Sequence, residues 1–448
     1  MARDSFLIAR DDDGSRSSHE TRAPSGEPRA SSHVRWRRNV YAVTAASFMG
    51  YTGFTLSMPF LPLYIRQLGV TDVGEISIWT GVSLAITPAL TALLAPAWGR
   101  LGDRYGRKIM VERSLVSFVL IMAAMASVTR AWHVLALRAV QGLFAGYGSL
   151  SVAMAAESAP RDRMPSAIGL VQTAQRLGPG IGPVIGGVLA GLVGLRRAFL
   201  VTALFYAVAL VVVFLTYDDR ATHAYASAEN PQDPEHPENR PNPANPANSA
   251  TQRVTFRNVL AFQNFLLMMV VIFALQFVDR SYGPVLPLYV EQVGVPHDRV
   301  AIVAGVLFSI MACTGALGHH VCGRLLQRFS ARVVIAGASA IAAAGCALLG
   351  ATGNLGMMSA ASALVGVGIG AAMTAAYSAA GSVIPVGAHG TGFGVLTSAS
   401  LVGMASSPFI AGFLGGTSLR IVFVVNVALM AIIAVAVRHK MIDAQGVR

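Results

Sequence analysis

A few ionisable residues stand where the chain is otherwise apolar, and their types can move protons or hold ions. Asp279, in "LQFVDRSYGP", is the acidic residue that falls well inside such a stretch, away from its ends. A carboxylate that is protonated in one state and ionised in another can couple a cycle to a proton gradient, and shielding from water brings carboxylates into that range. Its neighbour Arg280 points about 100° away on a helix, so a charge-neutralised structural pair is the alternative. Arg138, in "LRAVQG", and Arg176, in "QRLGPG", are cations in similar surroundings. An ionisable group at membrane depth is expensive and is a functional hypothesis by default. Arg138 faces a partner or cavity, or else is satisfied by backbone carbonyls. Arg176 binds an anionic or polar substrate, pairs with an acid, or is structural. Glu157 is a weaker candidate for proton coupling. His319 and His320 titrate near neutrality as a residue type, but two adjacent histidines make no metal site, and an interfacial role is expected for them. No Walker loop, H-E-x-x-H or G-x-S-x-G motif is present, so ATP-driven or hydrolytic chemistry has no visible machinery and no enzyme, cofactor or metal is expected.

The elements that must position these residues are membrane helices. Hydrophobic residues make up 54% of the 448 and charged residues 12%, where a soluble domain carries about 25% charged. A bilayer span takes about 20 mostly apolar residues and must be helical, because lipid offers the backbone no partners. Twelve such spans are expected, at 40–65, 76–98, 109–129, 132–157, 166–192, 197–216, 262–290, 298–322, 332–351, 356–382, 391–415 and 420–437. Cys313, Cys322 and Cys346 fall in or beside spans eight and nine and are expected to be reduced.

The net charge of +12 invites a nucleic-acid partner, but its distribution argues against one. With the N-terminus inside, most arginines and lysines fall on the cytoplasmic side, and Arg66, Arg130, Arg196, Arg197, Arg299 and Arg420 are left outside. That is the positive-inside asymmetry, and it places both termini in the cytoplasm. No signal peptide is evident at the N-terminus. Residues 1–34 read as a disordered tail, 35–217 as a six-helix bundle, 218–256 as a Pro/Asn-rich cytoplasmic linker, 257–440 as a second six-helix bundle, and 441–448 as a tail.

The two bundles repeat one another. "MPFLPLYIRQLGV" from Met58 and "GPVLPLYVEQVGV" from Gly283 share eight of thirteen positions at an offset of 225. "GRLGDRYGRK" from Gly99 meets "GRLLQRFSAR" from Gly323 at 224, and Gly169, Gly178, Pro183 and Gly187 of span five meet Gly394, Gly403, Pro408 and Gly412 of span eleven at 225. Six intervening spans set the halves parallel. Parallel halves are a transporter architecture with its site between them near midplane, though duplication also builds receptors and scaffolds.

Three motifs complete the reading. Gly99, Gly102 and Gly106 allow a tight turn between spans two and three, with Asp103, Arg104, Arg107 and Lys108 at the membrane surface; the bland alternative is a solvated basic loop. In span five, "GLVQTAQRLGPGIGPVIGG" puts Gly178, Gly182 and Gly186 four residues apart, a smooth face for a close neighbour. Pro179 and Pro183 remove two backbone donors and favour a kink. The loop's G-x-L-x-D-R-x-G-R-K closely resembles the signature of the major facilitator superfamily, Arg138, Gln141 and Gly142 match its R-x-x-Q-G, and span five, through Gly169, Gly178, Gly182, Pro183, Gly186 and Gly187, matches the signature of its antiporter members. The resemblance covers residues 36–440 and is nearest to the twelve-span drug/proton antiporters of the multidrug resistance branch.

That resemblance implies an all-α integral membrane fold of the inner membrane, with twelve helices in two parallel pseudo-symmetric bundles. It implies alternating access about a central cavity and proton-driven efflux of small amphipathic compounds by a monomer, with Arg138 in proton coupling or core charge balance; Asp279, by its place inside a span, is the first candidate for the coupling site. Asp103 would latch the halves by approaching the inner end of span eleven, whose N-terminal dipole favours an anion. Arg176, Arg280, Tyr51, Gln172, Gln175, Tyr282 and Tyr377 are cavity candidates by type and position. A proton-coupled uptake permease for a metabolite or organic anion, and a transport-dead sensor or scaffold, are the rival readings.

Overall fold

Apolar runs in lipid satisfy their backbone amides internally as helices. The computed structural model of this chain describes residues 28–160, 163–218, 264–384 and 389–441, and helices dominate throughout. Span one is broken into Pro28–Leu56 and Leu61–Gln67, so its first helix begins inside the expected N-terminal tail. Spans two and three are Val73–Tyr105 and Arg107–Met125. Span four is broken into Ala131–Leu143 and Tyr147–Ser158; spans five and six are Met164–Val193 and Leu195–Thr216. The second half runs Phe265–Gln292, His297–Leu326, Ala331–Ala351, Leu355–Val383, His389–Thr417 and Leu419–Lys440, as spans seven to twelve. Most of the expected linker, and the C-terminal tail after Met441, lie outside the described residues.

Ten of these spans are long and apolar enough to cross a membrane on length and composition alone. The other two run beside them. Span three keeps Lys108, Glu112 and Arg113 in its first turns, and the first helix of span one is rich in Ser, Thr and Gly. Caps set the ends: Asp72 accepts from the Glu75 amide at 2.8 Å, and Asn354 from the Met357 amide at 3.1 Å. Such caps are worth about 1 kcal/mol each. The three cysteines are free thiols.

The repeat survives in detail. Gly69 and Gly294, in "QLGV" and "QVGV", share a φ of +98°, a left-handed geometry that only glycine adopts without strain. Two seals join the halves, and each is a copy of the other. Span two lies so close to span eleven that a methyl group on Gly81 would run into the Pro408 carbonyl oxygen. Span eight lies on span five likewise, and a methyl group on Gly305 would meet the Pro183 carbonyl oxygen. Gly81 and Gly305 are 224 apart, and Pro183 and Pro408 are 225 apart.

Both seals sit toward the face that carries Arg66 and Glu291. Toward the other face, where the described chain ends Pro28 and Met441 lie, spans five and eight fit less tightly. A methyl group on Gly180 would stand 3.7 Å from Ala312, and one on Gly169 would have nothing within 4 Å. The halves are thus pressed together at one face and looser toward the other.

Candidate functional site

Between the halves lies a cavity of about 850 Å³. Its N-terminal wall carries Tyr51, Gln141, Tyr147, Gln175, Arg176 and Tyr206; its C-terminal wall carries Gln276, Asp279, Arg280, His319, Thr374 and Ser400. Both halves therefore contribute polar groups, set among Phe54, Phe118, Leu177, Met311, Met373 and Met404. A few polar groups in an apolar wall are what a small-molecule site requires.

Asp279 is not shielded as the sequence led us to expect. Its side chain is 42% exposed, in the cavity, and its Oδ2 lies 3.2 Å from the Nε of Arg280. That nitrogen makes no aligned hydrogen bond, since neighbours on a helix diverge by about 100°. Arg280 also borders a satellite chamber of about 50 Å³ next to the cavity, and Arg138 borders the same chamber.

Arg138 is buried. Its Nη2 donates to Ser57 Oγ at 2.6 Å and its Nη1 to Gln141 Oε1 at 3.1 Å, while Thr87 Oγ1 donates to its carbonyl at 2.8 Å. Span four and the break in span one thus meet at this guanidinium, and span two is tied to the same residue through its backbone. Arg176 projects into the cavity and makes no hydrogen bond or ion pair among the described residues.

The other cavity candidates divide. Tyr51 and Gln175 line the wall, and Gln175 Nε2 donates to the Gly148 carbonyl at 3.0 Å. Gln172 is exposed and Tyr377 half-buried, and neither borders the cavity. Tyr282 belongs to the interior of the second half: it is wholly buried, its hydroxyl lies 3.0 Å from Cys346 Sγ, and its ring lies against Phe423. Span seven turns the face after Arg280 inward, and residues 281–290 are all buried. Glu157, the weaker proton candidate, instead pairs with Arg107 at 2.9 Å. Sequence reasoning missed Tyr147, Tyr206 and Thr374, and it expected His319 at the interface and not in the cavity wall. His319 Nδ1 and Thr374 Oγ1 lie 2.6 Å apart, joining spans eight and ten at the wall. The sequence signal for Tyr206 was a single phenol in a span whose other hydroxyls are the threonines Thr202 and Thr216.

The loop motif braces one half. Gly106 turns the chain at a φ of +94°. Lys108 Nζ donates to the Tyr217 carbonyl at 2.8 Å, and Arg104 stacks 5.4 Å from the Tyr105 ring centroid. Arg107 reaches the end of span four through Glu157. Gly99 lies within the helix of span two, and the Asp103 side chain lies outside the described residues.

The glycine motif of span five has two faces. Gly178, Gly182 and Gly186 lie against span one of the same half, at Phe48, Thr52, Thr55 and Leu56, while Gly187 lies against Ala301 of span eight in the other half.

At the sealed face, Arg66 Nη1 donates to both oxygens of Glu291, at 2.6 and 2.5 Å, and His297 Nδ1 lies 3.0 Å from Glu291 Oε1. Arg66 and Glu291 are repeat-related positions, 225 apart, so the pair crosses the pseudo-twofold axis. A hydrogen bond to a charged group contributes about 1.5–3 kcal/mol. Arg66→Glu should therefore shift the conformational equilibrium toward separation of this face by about tenfold or more. Spin-label distances between Gln67 and Gln292 would report it, and the swap Arg66→Glu with Glu291→Arg should restore the short distance.

Comparison with known proteins agrees with this architecture. A family model described as Major Facilitator Superfamily matches residues 43–349 and, in a second match, 301–443. The chain is 28% identical over 306 residues to a protein of Lactococcus lactis subsp. lactis (strain IL1403) named multi-drug resistance efflux pump PmrA homolog, covering 68% of this chain and 70% of that one. It is 29% identical over 293 residues to multidrug resistance protein MdtG of Proteus mirabilis (strain HI4320), covering 65% and 68%. Its fold superposes on a bacterial homolog of the human lysosomal transporter Spinster, in an inward-facing and occupied conformation, with a TM-score of 0.70 at 16% identity, over 92% of this chain and 97% of that one.

Proposed function

This chain belongs to the Major Facilitator Superfamily, a family of secondary transporters, and we propose from that premise that it exports small amphipathic compounds in exchange for protons. It is a multi-pass membrane protein and a carrier of small molecules, not an enzyme. The observation that carries the finer reading is one cavity shared by both halves, sealed at one face, with a water-accessible carboxylate, Asp279, on its wall. One relative named for multi-drug resistance efflux and another named for multidrug resistance support the direction. In this reading the chain ends are cytoplasmic, by the excess of arginine and lysine on their side. The open face then takes cargo from the cytoplasm. Rocking of the halves breaks the two glycine seals and the Arg66–Glu291 pair, and opens the other face. Asp279 takes up a proton outside and releases it inside. Arg138, fixed by Ser57 and Gln141, ties the cavity floor to the break in span one and so couples occupancy to the seal.

Transport in membrane vesicles tests this. Inside-out vesicles energised to an acidic lumen should accumulate a fluorescent amphipathic cargo, and a protonophore should stop it. Accumulation in right-side-out vesicles with proton entry would replace export by uptake. No movement in either orientation, from protein that is folded and inserted, would leave a sensor or scaffold.

A further inference from the structure

The charges around the cavity do not balance. Arg280 has Asp279 beside it, at 3.2 Å but out of hydrogen-bond alignment. Arg138 is held by the neutral groups of Ser57 and Gln141, and its Nε has no partner. Arg176 makes no hydrogen bond or ion pair among the described residues. Among the described residues around the cavity, three guanidiniums thus face one carboxylate at membrane depth. Each guanidinium is permanently charged, and an uncompensated charge there is costly.

We propose that the missing counter-charge arrives with the cargo: the transported compound is an amphipathic anion, with a carboxylate-, sulfonate- or phosphate-type head and an apolar body. This rests on the carrier function proposed above and adds its substrate class. The head would sit between Arg176 of span five and Arg280 of span seven, so that one anion is gripped from both halves. Arginine suits this, because its planar fork donates to two oxyanion oxygens at once. The apolar body would lie along Phe54, Phe118, Met311 and Met404, which line the same space. A cationic compound would meet repulsion from Arg176 and Arg280 and find only Asp279, which Arg280 already attends.

Charge accounting gives the cycle a signature. One proton inward for one monoanion outward moves two charges the same way, so a potential negative on the cytoplasmic side drives the exchange. One proton for one monocation moves none.

Two probes with one ring system decide the matter: naphthalene-2-sulfonate and 2-naphthyltrimethylammonium. Binding to the purified protein in nanodiscs is measured by calorimetry. Efflux from proteoliposomes is measured with and without a potassium–valinomycin potential. The sulfonate should bind about tenfold or more tightly than the ammonium, and Arg176→Gln should erase that preference while Arg176→Lys retains most of it. The potential should accelerate sulfonate exchange. Equal or tighter binding of the ammonium, no binding of either probe, or an unchanged preference in Arg176→Gln would overturn the proposal. Proton-driven export of the ammonium, indifferent to potential, would sink the anion and leave the exporter standing. Sulfonate binding with no proton-driven movement would do the reverse.

Discussion

Replacing Gly186 and replacing Gly187 should break this protein in two different ways, although the residues are adjacent. A methyl group on Gly186 would fall almost on the Leu56 carbonyl oxygen and within 2.6 Å of its carbon. Leu56 ends the first helix of span one, is fully buried, and has no way to retreat. Span five and span one belong to the same half, so the clash exists in every conformation. Overpacking of this kind costs about 1–3 kcal/mol, occasionally more, and here the obstacle is backbone. Gly186→Ala should lower the thermal midpoint clearly, and Gly186→Val should leave little folded protein in the membrane. Gly187 is turned about 100° further round the helix and meets Ala301 of the other half. That contact exists only while the seal is closed. Gly187→Val should therefore fold, insert and keep near-normal stability, yet hold the sealed face apart. The Gln67–Gln292 spin-label distance should lengthen in Gly187→Val, and transport should fall to background. Equal stability losses at both positions would show that the motif is a single packing face and not a packing face beside a gate.

The sequence announced both glycines but not their division of labour. Period-four spacing identifies a smooth face, and it cannot say which neighbour lies on it. The spans, their order and the parallel halves were legible because lipid imposes length and helicity on any apolar run, and because the repeat kept its glycines and prolines. The site was legible in its charges and much less in its aromatics. Asp279, Arg280 and Arg176 reach the cavity because a charge at this depth must face polar surroundings or water. Tyr282, two residues beyond Arg280, is buried against Cys346 and Phe423 instead. Tyrosine is content in either place, so its position in a span did not reveal its face. His319 sits near the inner end of its span beside a second histidine, which points to the interface; its pairing with Thr374 joins two spans 55 residues apart, and no local spacing encodes that. The Arg66–Glu291 pair is the converse: the two repeat copies carry opposite charges at matched positions, and the fold supplies the contact.

Asp279→Asn should separate binding from coupling. The substitution keeps the size and one acceptor oxygen, and removes only the titratable charge. Asp279 is 42% exposed and lies in no other described ion pair than that with Arg280, so its loss should leave insertion and thermal stability within about 0.5 kcal/mol of the parent. A cargo that meets Arg176 and Arg280 should still bind, and bind no more weakly, because the competing carboxylate is gone. Downhill exchange of labelled for unlabelled cargo should continue, since alternating access itself needs no proton on this residue. Uphill accumulation driven by a pH gradient should fall to the level of protein-free liposomes, and Asp279→Glu should recover part of it. The physical reason is that a carrier extracts work from a gradient only if its protonated and unprotonated forms prefer different conformations. An amide has one form. If accumulation by Asp279→Asn still follows the pH gradient, the coupling proton sits elsewhere, and His319, the other titratable group on the C-terminal wall of the cavity, becomes the next residue to neutralise. If exchange is lost together with accumulation, Asp279 holds the cavity together through Arg280 and carries no proton of its own.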